Sequence, residues 1–284
     1  MRLDTFLARR ADMGRRGGKR LAGNARVNGR RARPAQALVA GDQVLIPSSQ
    51  ESSSDLDVLR RGERLLVLNK PAGLPTVALA GQTGDSMAAR VAAADPGFVP
   101  PGPLLESGIV HRLDTGTSGV LLVAQSRPLW EALRQQTREH AWEKTYLCIV
   151  KGDVHADTEI RLAIGQHPKS HRRMLAVADP EKWERYSARM ACSRVEPIAA
   201  ADQRTFVRVH TRTGLRHQVR IHLASLGHPV INDHLYGTVL DADLPGHYLH
   251  GESIRWTDPA TGNRNTEVAP VPGWWPGWAA SALA

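Results

Sequence analysis

From Gly119 to Ala124 the chain reads Gly-Val-Leu-Leu-Val-Ala, six residues without a polar side chain. A run this short is no membrane span, and its length suits a strand inside a folded core. What precedes it is opposite in character. His111-Arg112-Leu113-Asp114-Thr115-Gly116-Thr117-Ser118 is polar and turn-forming. An interior strand entered through such a turn frames one carboxylate, Asp114, beside the cation Arg112.

The elements around it can be read in the same way. Arg64 to Asn69 is a short buried strand ended by the turn Lys70-Pro71-Ala72-Gly73. Asp85 to Ala94 is alanine-rich and helical, stopped by Pro96. Ser126 is placed to cap a helix with Pro128 in its first turn and Leu129, Trp130 and Leu133 following. Thr145 to Val150 and Phe206 to His210 read as strands. Val219, Leu223 and Leu226 mark a helix at i, i+4 and i+7, with Gly227 at its end and Pro229 beyond. Clean strand–helix–strand units are too few for a doubly wound sheet, so the fold class is α+β.

Charge divides the chain unevenly. Residues 1–47 hold 11 Lys/Arg and 3 Asp/Glu, whereas the whole chain holds 37 and 28. Nearly all of the formal net charge of +9 therefore lies in the first sixth of the molecule, a concentration that suits a polyanion. Leu3, Phe6 and Leu7 predict a short amphipathic helix, followed by the basic stretch Arg15-Arg16-Gly17-Gly18-Lys19-Arg20. Asn28-Gly29 predicts a tight hairpin, and Gly41-Asp42 turns the chain into Val44-Leu45-Ile46. Gly17 and Gly18 each cost a helix about 1 kcal/mol relative to alanine, which predicts a less regular second helix. Ser48 to Asp55 is serine-rich and polar, giving three parts: 1–47, a linker 48–55, and 56–284. The helix–basic stretch–hairpin order of the first part resembles the RNA-binding module named after ribosomal protein S-four.

Other chemistries fit poorly. Leu113-Asp114-Thr115-Gly116-Thr117-Ser118 reads like an aspartic protease strand, but such an enzyme needs two carboxylates sharing a proton, and no second triplet exists. Arg112 would also hold Asp114 ionised and spoil that sharing. No phosphate-cradling glycine motif follows a strand, and Ser118 lacks a nucleophile elbow because Val120 replaces the second glycine. His217 and His222 lie about 140° apart on a helix and do not converge on a metal. Cys148 and Cys192, far apart in apolar surroundings, read as buried free thiols of a reducing compartment. With no apolar leader or span, a soluble cytoplasmic protein is expected.

The full motif, His111-Arg112-Leu113-Asp114 with Thr117-Ser118-Gly119, resembles the H-R-L-D-x-x-T-S-G signature of the RluA family of RNA pseudouridine synthases. Further segments resemble that family in the same order: Asn69-Lys70-Pro71-Ala72-Gly73-Leu74, Lys144-Thr145-Tyr146-Leu147, His217-Gln218-Val219-Arg220-Ile221-His222-Leu223, Leu226-Gly227-His228-Pro229, Asp233-His234-Leu235-Tyr236-Gly237 and Leu249-His250. Three positions depart from the family pattern: Leu215-Arg216 replaces the usual basic-then-small pair before His217, Asn232 stands where glycine is common, and Gly251 where alanine is.

The resemblance implies a mixed, mainly antiparallel sheet with flanking helices, and an isomerase that converts uridine in RNA to pseudouridine. That chemistry needs neither cofactor nor metal. It implies Asp114 as the essential carboxylate, Arg220 as the cation that keeps it charged, and Tyr146 against the uracil ring. His111 and Arg112 would meet the RNA, Arg112 at a phosphate or in the gap left by a flipped base. Arg15, Arg16, Lys19, Arg20, Arg30 and Arg31 would hold RNA from the N-terminal part. On the residues alone, Asp114 could close its own turn, Arg220 could be an exposed helix arginine, and Tyr146 a core tyrosine. The expected substrate is ribosomal RNA, with transfer RNA, or a catalytically silent RNA-binding protein on this fold, as alternatives. A monomer is expected.

Overall fold

The computed structural model describes residues 1–11, 14–46, 55–78, 84–95, 101–103, 105–237, 239 and 241–283. Most of the serine-rich stretch expected as a linker lies outside the described residues. The chain folds as two compact units, one of residues 1–68, 74–112 and 121–132, the other of residues 69–73, 113–120 and 133–284.

The first unit opens with α1 (Leu3–Arg10) and α2 (Arg15–Asn24), followed by β1 (Arg26–Val27), β2 (Arg30–Arg31) and β3 (Val44–Leu45). Leu3, Leu7, Leu21 and Ala22 are fully buried between these elements. The second helix is regular across Gly17 and Gly18, contrary to the propensity argument. Packing explains the difference. A side chain at Gly18 would overlap the Asp4 carbonyl oxygen and the Ala8 Cβ, so glycine is what lets α2 lie against α1. Asn28 and Gly29 take positive φ angles of 49° and 78° and close the β1–β2 hairpin. The Asn28 side chain also donates to Asp42 Oδ1 and accepts from Gln43 N, tying this hairpin to the turn before β3.

The same unit continues with β4 (Val58–Arg61), antiparallel to β5 (Leu65–Lys70), then α3 (Met87–Ala94), with Ser86 capping its N-terminus. The last four residues of β6 (Ser118–Ala124) complete a core of Leu66, Leu68, Met87, Val91, Ile109 and Leu121. β6 is buried along its whole length. β5 and β6 both change unit, Asn69–Lys70 and Ser118–Val120 belonging to the second.

After α4 (Arg127–Arg138), the second unit builds a large sheet from β7 (Glu143–Lys151), β8 (Thr158–Gln166), β9 (Met174–Val177), β10 (Arg189–Ala201), β11 (Arg204–Thr211), β12 (Leu249–Thr257) and β13 (Arg264–Val268), with helices α5 (Trp183–Tyr186), α6 (Gln218–Ser225) and α7 (Gly277–Ser281). Its strand order is β6-β12-β7-β11-β10-β8-β9, with β13 paired to β12. Among the described residues of this unit the pairings are antiparallel except β6 with β12, where Ser118 faces His250 and Gly119 faces Gly251. There Gly119 has φ +126°, and a Cβ on it would collide with the Gly251 backbone.

Alternation along β7 sorts the two faces. Cys148 and Val150 pack with Val207, Val209 and, from α6, Val219 and Leu223. Leu147 and Ile149 point the other way, onto Phe206, Trp275 and Ala279. Each buried aliphatic of this kind contributes about 1.5–3 kcal/mol. The C-terminal tryptophans thus pack the tail against the sheet. Cys148 is buried, but Cys192 is only half-buried, its Sγ 3.2 Å from Glu159 Oε1 on the charged face of the sheet. That departs from the expected pair of buried thiols.

Candidate active site

The turn that carries Asp114 is held on three sides by its own unit. Thr117 N donates to Asp114 O at 3.0 Å, and Gly73 N donates to Thr115 O at 2.9 Å. Lys70 Nζ reaches the Pro71 and Thr115 carbonyl oxygens at 2.7 and 3.2 Å. Lys70 is fully buried, and burial brings its pKa down to about 7 against the opposing pull of Asp114. Thr117 Oγ1 is hydrogen-bonded to His247 Nε2 at 2.9 Å, and Ser118 Oγ to His250 Nδ1 at 2.9 Å. A Cβ on Gly116 would strike the His247 ring, so the Asp-Thr-Gly sequence packs as well as turns.

α6 delivers the cation. Gln218, in its first turn, accepts from Thr213 Oγ1 and Leu215 N and donates to Cys192 O, Ser193 Oγ and Thr211 Oγ1. With the helix start so fixed, Arg220 projects between two carboxylates. Its Nη1 donates to Asp114 Oδ2 at 2.8 Å, while Nε and Nη2 donate to the two oxygens of Asp233 at 2.7 Å each. Arg220 is 3% exposed and Asp233 0%, whereas the Asp114 side chain retains 26%, so only Asp114 opens outward. Asp233 also accepts the Leu235 and Tyr236 backbone N–H groups. The Arg220 guanidinium lies 5.2 Å from the Tyr236 ring centroid, a cation–π contact.

Burial pushes the Asp114 carboxyl up. The His217 ring when protonated, and the charge and hydrogen bond of Arg220, outweigh it and hold the group below the ordinary carboxylate range. Burial brings His217 down to about 4, so at neutral pH this ring is uncharged and Arg220 keeps Asp114 ionised. Burial likewise raises Asp233, and Arg220 more than offsets it.

The sequence-predicted residues separate clearly. Asp114 and Arg220 are brought into an ion pair. Tyr146 lies on β7, partly buried against the Val209–Val219 cluster, its phenol raised first by burial and then by the negative charge of Asp114. Arg112 is exposed, and the cation on Asp114 is Arg220, not Arg112 as the protease argument assumed. His111 is buried, and its Nε2 accepts the Leu122 N–H at 3.1 Å, which holds the strand after the motif. Arg15, Arg16, Lys19, Arg20, Arg30 and Arg31 are all exposed on α2 and the hairpin.

Several site residues escape sequence reasoning. His217 sits at the N-cap of α6 with a left-handed φ of 58°, its Nδ1 2.8 Å from Tyr236 Oη and its Nε2 3.9 Å from Asp114 Oδ2. Asp233 and Tyr236 lie inside the Asp-His-Leu-Tyr-Gly segment, but nothing in that segment marks the acid as the clamp on Arg220. Asn232 takes a φ of 65°, which explains its stand-in for glycine; asparagine is among the few residues that tolerate this region. A separate cleft of about 590 Å³ lies over Glu143, Thr145, His210, Arg212 and Arg255. Glu143 pairs there with both Arg212 and Arg255, and the cleft includes neither Asp114 nor Arg220. Among the described residues no cluster of three metal-ligating side chains is present, and no helix is long and apolar enough to cross a membrane.

Residues 64–225 match the family of RNA pseudouridylate synthases. The chain belongs to this family. A Mycobacterium bovis protein described as an uncharacterized RNA pseudouridine synthase is 31% identical over 290 residues, 96% of this chain and 91% of the relative. The ribosomal large subunit pseudouridine synthase D of Xylella fastidiosa is 29% identical, covering 88% of this chain and 78% of the relative. In structure, human RNA pseudouridylate synthase domain containing 1 superimposes with a TM-score of 0.61 at 23% identity, over 78% of this chain and 86% of that one, a likeness of fold.

As an RNA pseudouridine synthase, the protein is an isomerase. The reaction breaks the bond from ribose to the base nitrogen, turns the uracil over, and rejoins it through a ring carbon. One ionised carboxylate suits either attack on the anomeric carbon or removal of the neighbouring proton. The arrangement of Asp114, Arg220 and Asp233 supplies such a group, held charged and aimed outward.

Proposed function

We propose that this protein isomerises uridines of ribosomal RNA to pseudouridine, with Asp114 as the carboxylate that acts at the target ribose. The observation that carries the reading is the 2.8 Å contact from the buried Arg220, itself paired with the buried Asp233, to the partly exposed Asp114. A turn-closing aspartate would need no buried guanidinium. Arg220 keeps Asp114 ionised, Tyr146 lies against the uracil ring, and Arg112, exposed, meets the phosphate chain or stacks in the gap left by the flipped base. The ribosomal target is supported by the relatives named for the large ribosomal subunit.

Residues 1–47 act as a module of the S-four type, presenting Arg15, Arg16, Lys19, Arg20, Arg30 and Arg31 to RNA phosphates. Residues 48–55 link it to a catalytic part of residues 56–284. The protein works as a cytoplasmic monomer. The test is a pseudouridine map of total RNA from cells with the gene, without it, and with Asp114→Asn. Sites should vanish from ribosomal RNA in both altered strains. Loss from transfer RNA alone would move the substrate, and unchanged maps in the Asn strain would remove Asp114 from the chemistry.

A further inference from the structure

His217 has hydrogen-bonding capacity that the ion pairs of the site do not use. Tyr236 Oη accepts the Met174 backbone N–H at 2.8 Å. That amide is an obligate donor, so the Tyr236 hydroxyl proton must point elsewhere. Two acceptors are in range: His217 Nδ1 at 2.8 Å and Met174 O at 3.5 Å. We assign it to the shorter contact, which makes Nδ1 an acceptor and places the ring proton on Nε2.

That Nε2–H faces Asp114. At 3.9 Å from Oδ2 it is too distant for a direct hydrogen bond, and Oδ2 already receives Arg220. Among the described residues no hydrogen-bond acceptor meets it, and the side chain is 8% exposed, so the donor opens onto the space in front of the carboxylate. The fold holds it there at a cost. His217 occupies the left-handed region, where glycine or asparagine would sit with less strain, and strained residues of this kind gather at functional sites. Tyr236 is itself fixed by Asp233, which accepts its backbone N–H, and by the guanidinium of Arg220 on its ring. One buried acid thus orients both the cation on Asp114 and the tyrosine behind His217.

We propose that His217 donates a hydrogen bond from its Nε2–H to an oxygen of the target ribose beside Asp114, with no proton transferred and with Tyr236 fixing the tautomer that makes this possible. The inference rests on the reading that Asp114 faces that ribose. It makes His217 a substrate-contacting residue and Tyr236 a positioning residue.

Two substitutions separate this role from a structural one. His217→Asn tolerates the left-handed backbone and can still reach Tyr236, but has no donor at the Nε2 position. His217→Gln fits the backbone less well, yet its amide can extend to that position. Single-turnover tritium release at saturating RNA should fall roughly 10- to 100-fold in the Asn variant, the effect of losing one hydrogen bond that is made in the transition state, with RNA affinity within about threefold of the parent. The Gln variant should recover most of that loss. A structural role predicts the reverse order, because Asn relieves the strain. Tyr236→Phe frees the tautomer and should slow the parent, yet add nothing to His217→Asn, so the proposal stays testable should one His217 variant misfold. A Gln variant as slow as Asn, or an Asn variant at the parent rate, overturns it. Turnover by Asp114→Asn in the same assay would instead show that the reading beneath it is wrong.

Discussion

Replacing Arg220 with lysine keeps the charge and removes the geometry. Arg220 makes three charge-assisted hydrogen bonds, two to Asp233 and one to Asp114, from a planar fork that a single ammonium cannot imitate. Lysine can satisfy one carboxylate well and must leave the other poorly paired. Each missing bond of this kind costs about 1.5–3 kcal/mol, and breaking one partner out of a buried pair costs about 3–5 kcal/mol. Because Asp233 is fully buried, it should keep the lysine, and Asp114 should be the group released. A net loss of about 3 kcal/mol is expected, which lowers the melting temperature by roughly 6–12 °C at about 2–4 °C per kcal/mol. With Asp114 free to move by about an ångström, the saturated rate should fall on the order of 100-fold. The pH dependence carries a sign. Both carboxyls lie below their ordinary values in the folded protein, so their stabilisation is complete above about pH 4 and is lost as pH falls through the folded values. The stability gap between parent and Arg220→Lys should therefore be widest near neutrality and close in acid. Tritium release and thermal melting across pH measure all three effects. A lysine variant with the parent rate and a melting temperature within about 1 °C would refute the clamp.

Three further outcomes follow from particular residues. Gly18→Ala should destabilise the α1–α2 pair by about 1–3 kcal/mol despite alanine's better helix propensity, since its Cβ meets Ala8 and the Asp4 carbonyl; increased thermal stability would contradict the packing argument. Removing residues 1–47 should weaken RNA binding about tenfold or more and flatten the slope of log affinity against log salt by roughly 0.7–0.9 for each phosphate that the module neutralises, while the saturated rate stays near the parent's. A collapse of that rate with affinity unchanged would mean the module shapes the pocket instead. Burial and the Asp114 charge hold the Tyr146 phenol above its ordinary value, so it stays protonated beyond about pH 10; an alkaline limb below pH 10 that disappears in Tyr146→Phe would count against that assignment.

The parts of the fold legible in the sequence are those marked by an apolar run or by a repeat of branched aliphatic residues. β6 carries no polar residue in its interior, and α6 repeats valine and leucine at helical spacing, so each shows itself locally. The strands β8 to β10 do not. Their alternation is short and carries small or polar residues on the buried side, Ala191 and Ser193 among them, and Pro197 interrupts β10 where the register with β11 shifts, so little of the sheet shows locally. α2 defeats sequence reasoning for the opposite reason. Propensity counts what glycine loses alone and cannot see that Gly18 is where another helix packs.

The site divides along the same line. Asp114 and Arg220 stand in segments whose residue order is itself distinctive, although 106 positions separate them. Asp233 stands in a loop as one acid among many, with no periodicity and no chemistry visible until the fold closes Arg220 onto it. Its buried position follows from that closure, because an unpaired arginine could not be taken from water there. The carboxylate that opens outward can be found from sequence, whereas the one that makes the burial of Arg220 tolerable is found only from packing. His217 belongs to the second kind: its ring meets Tyr236, whose hydroxyl also takes the Met174 amide, 43 residues upstream of His217 and on another element, and that chain of contacts exists only in the fold.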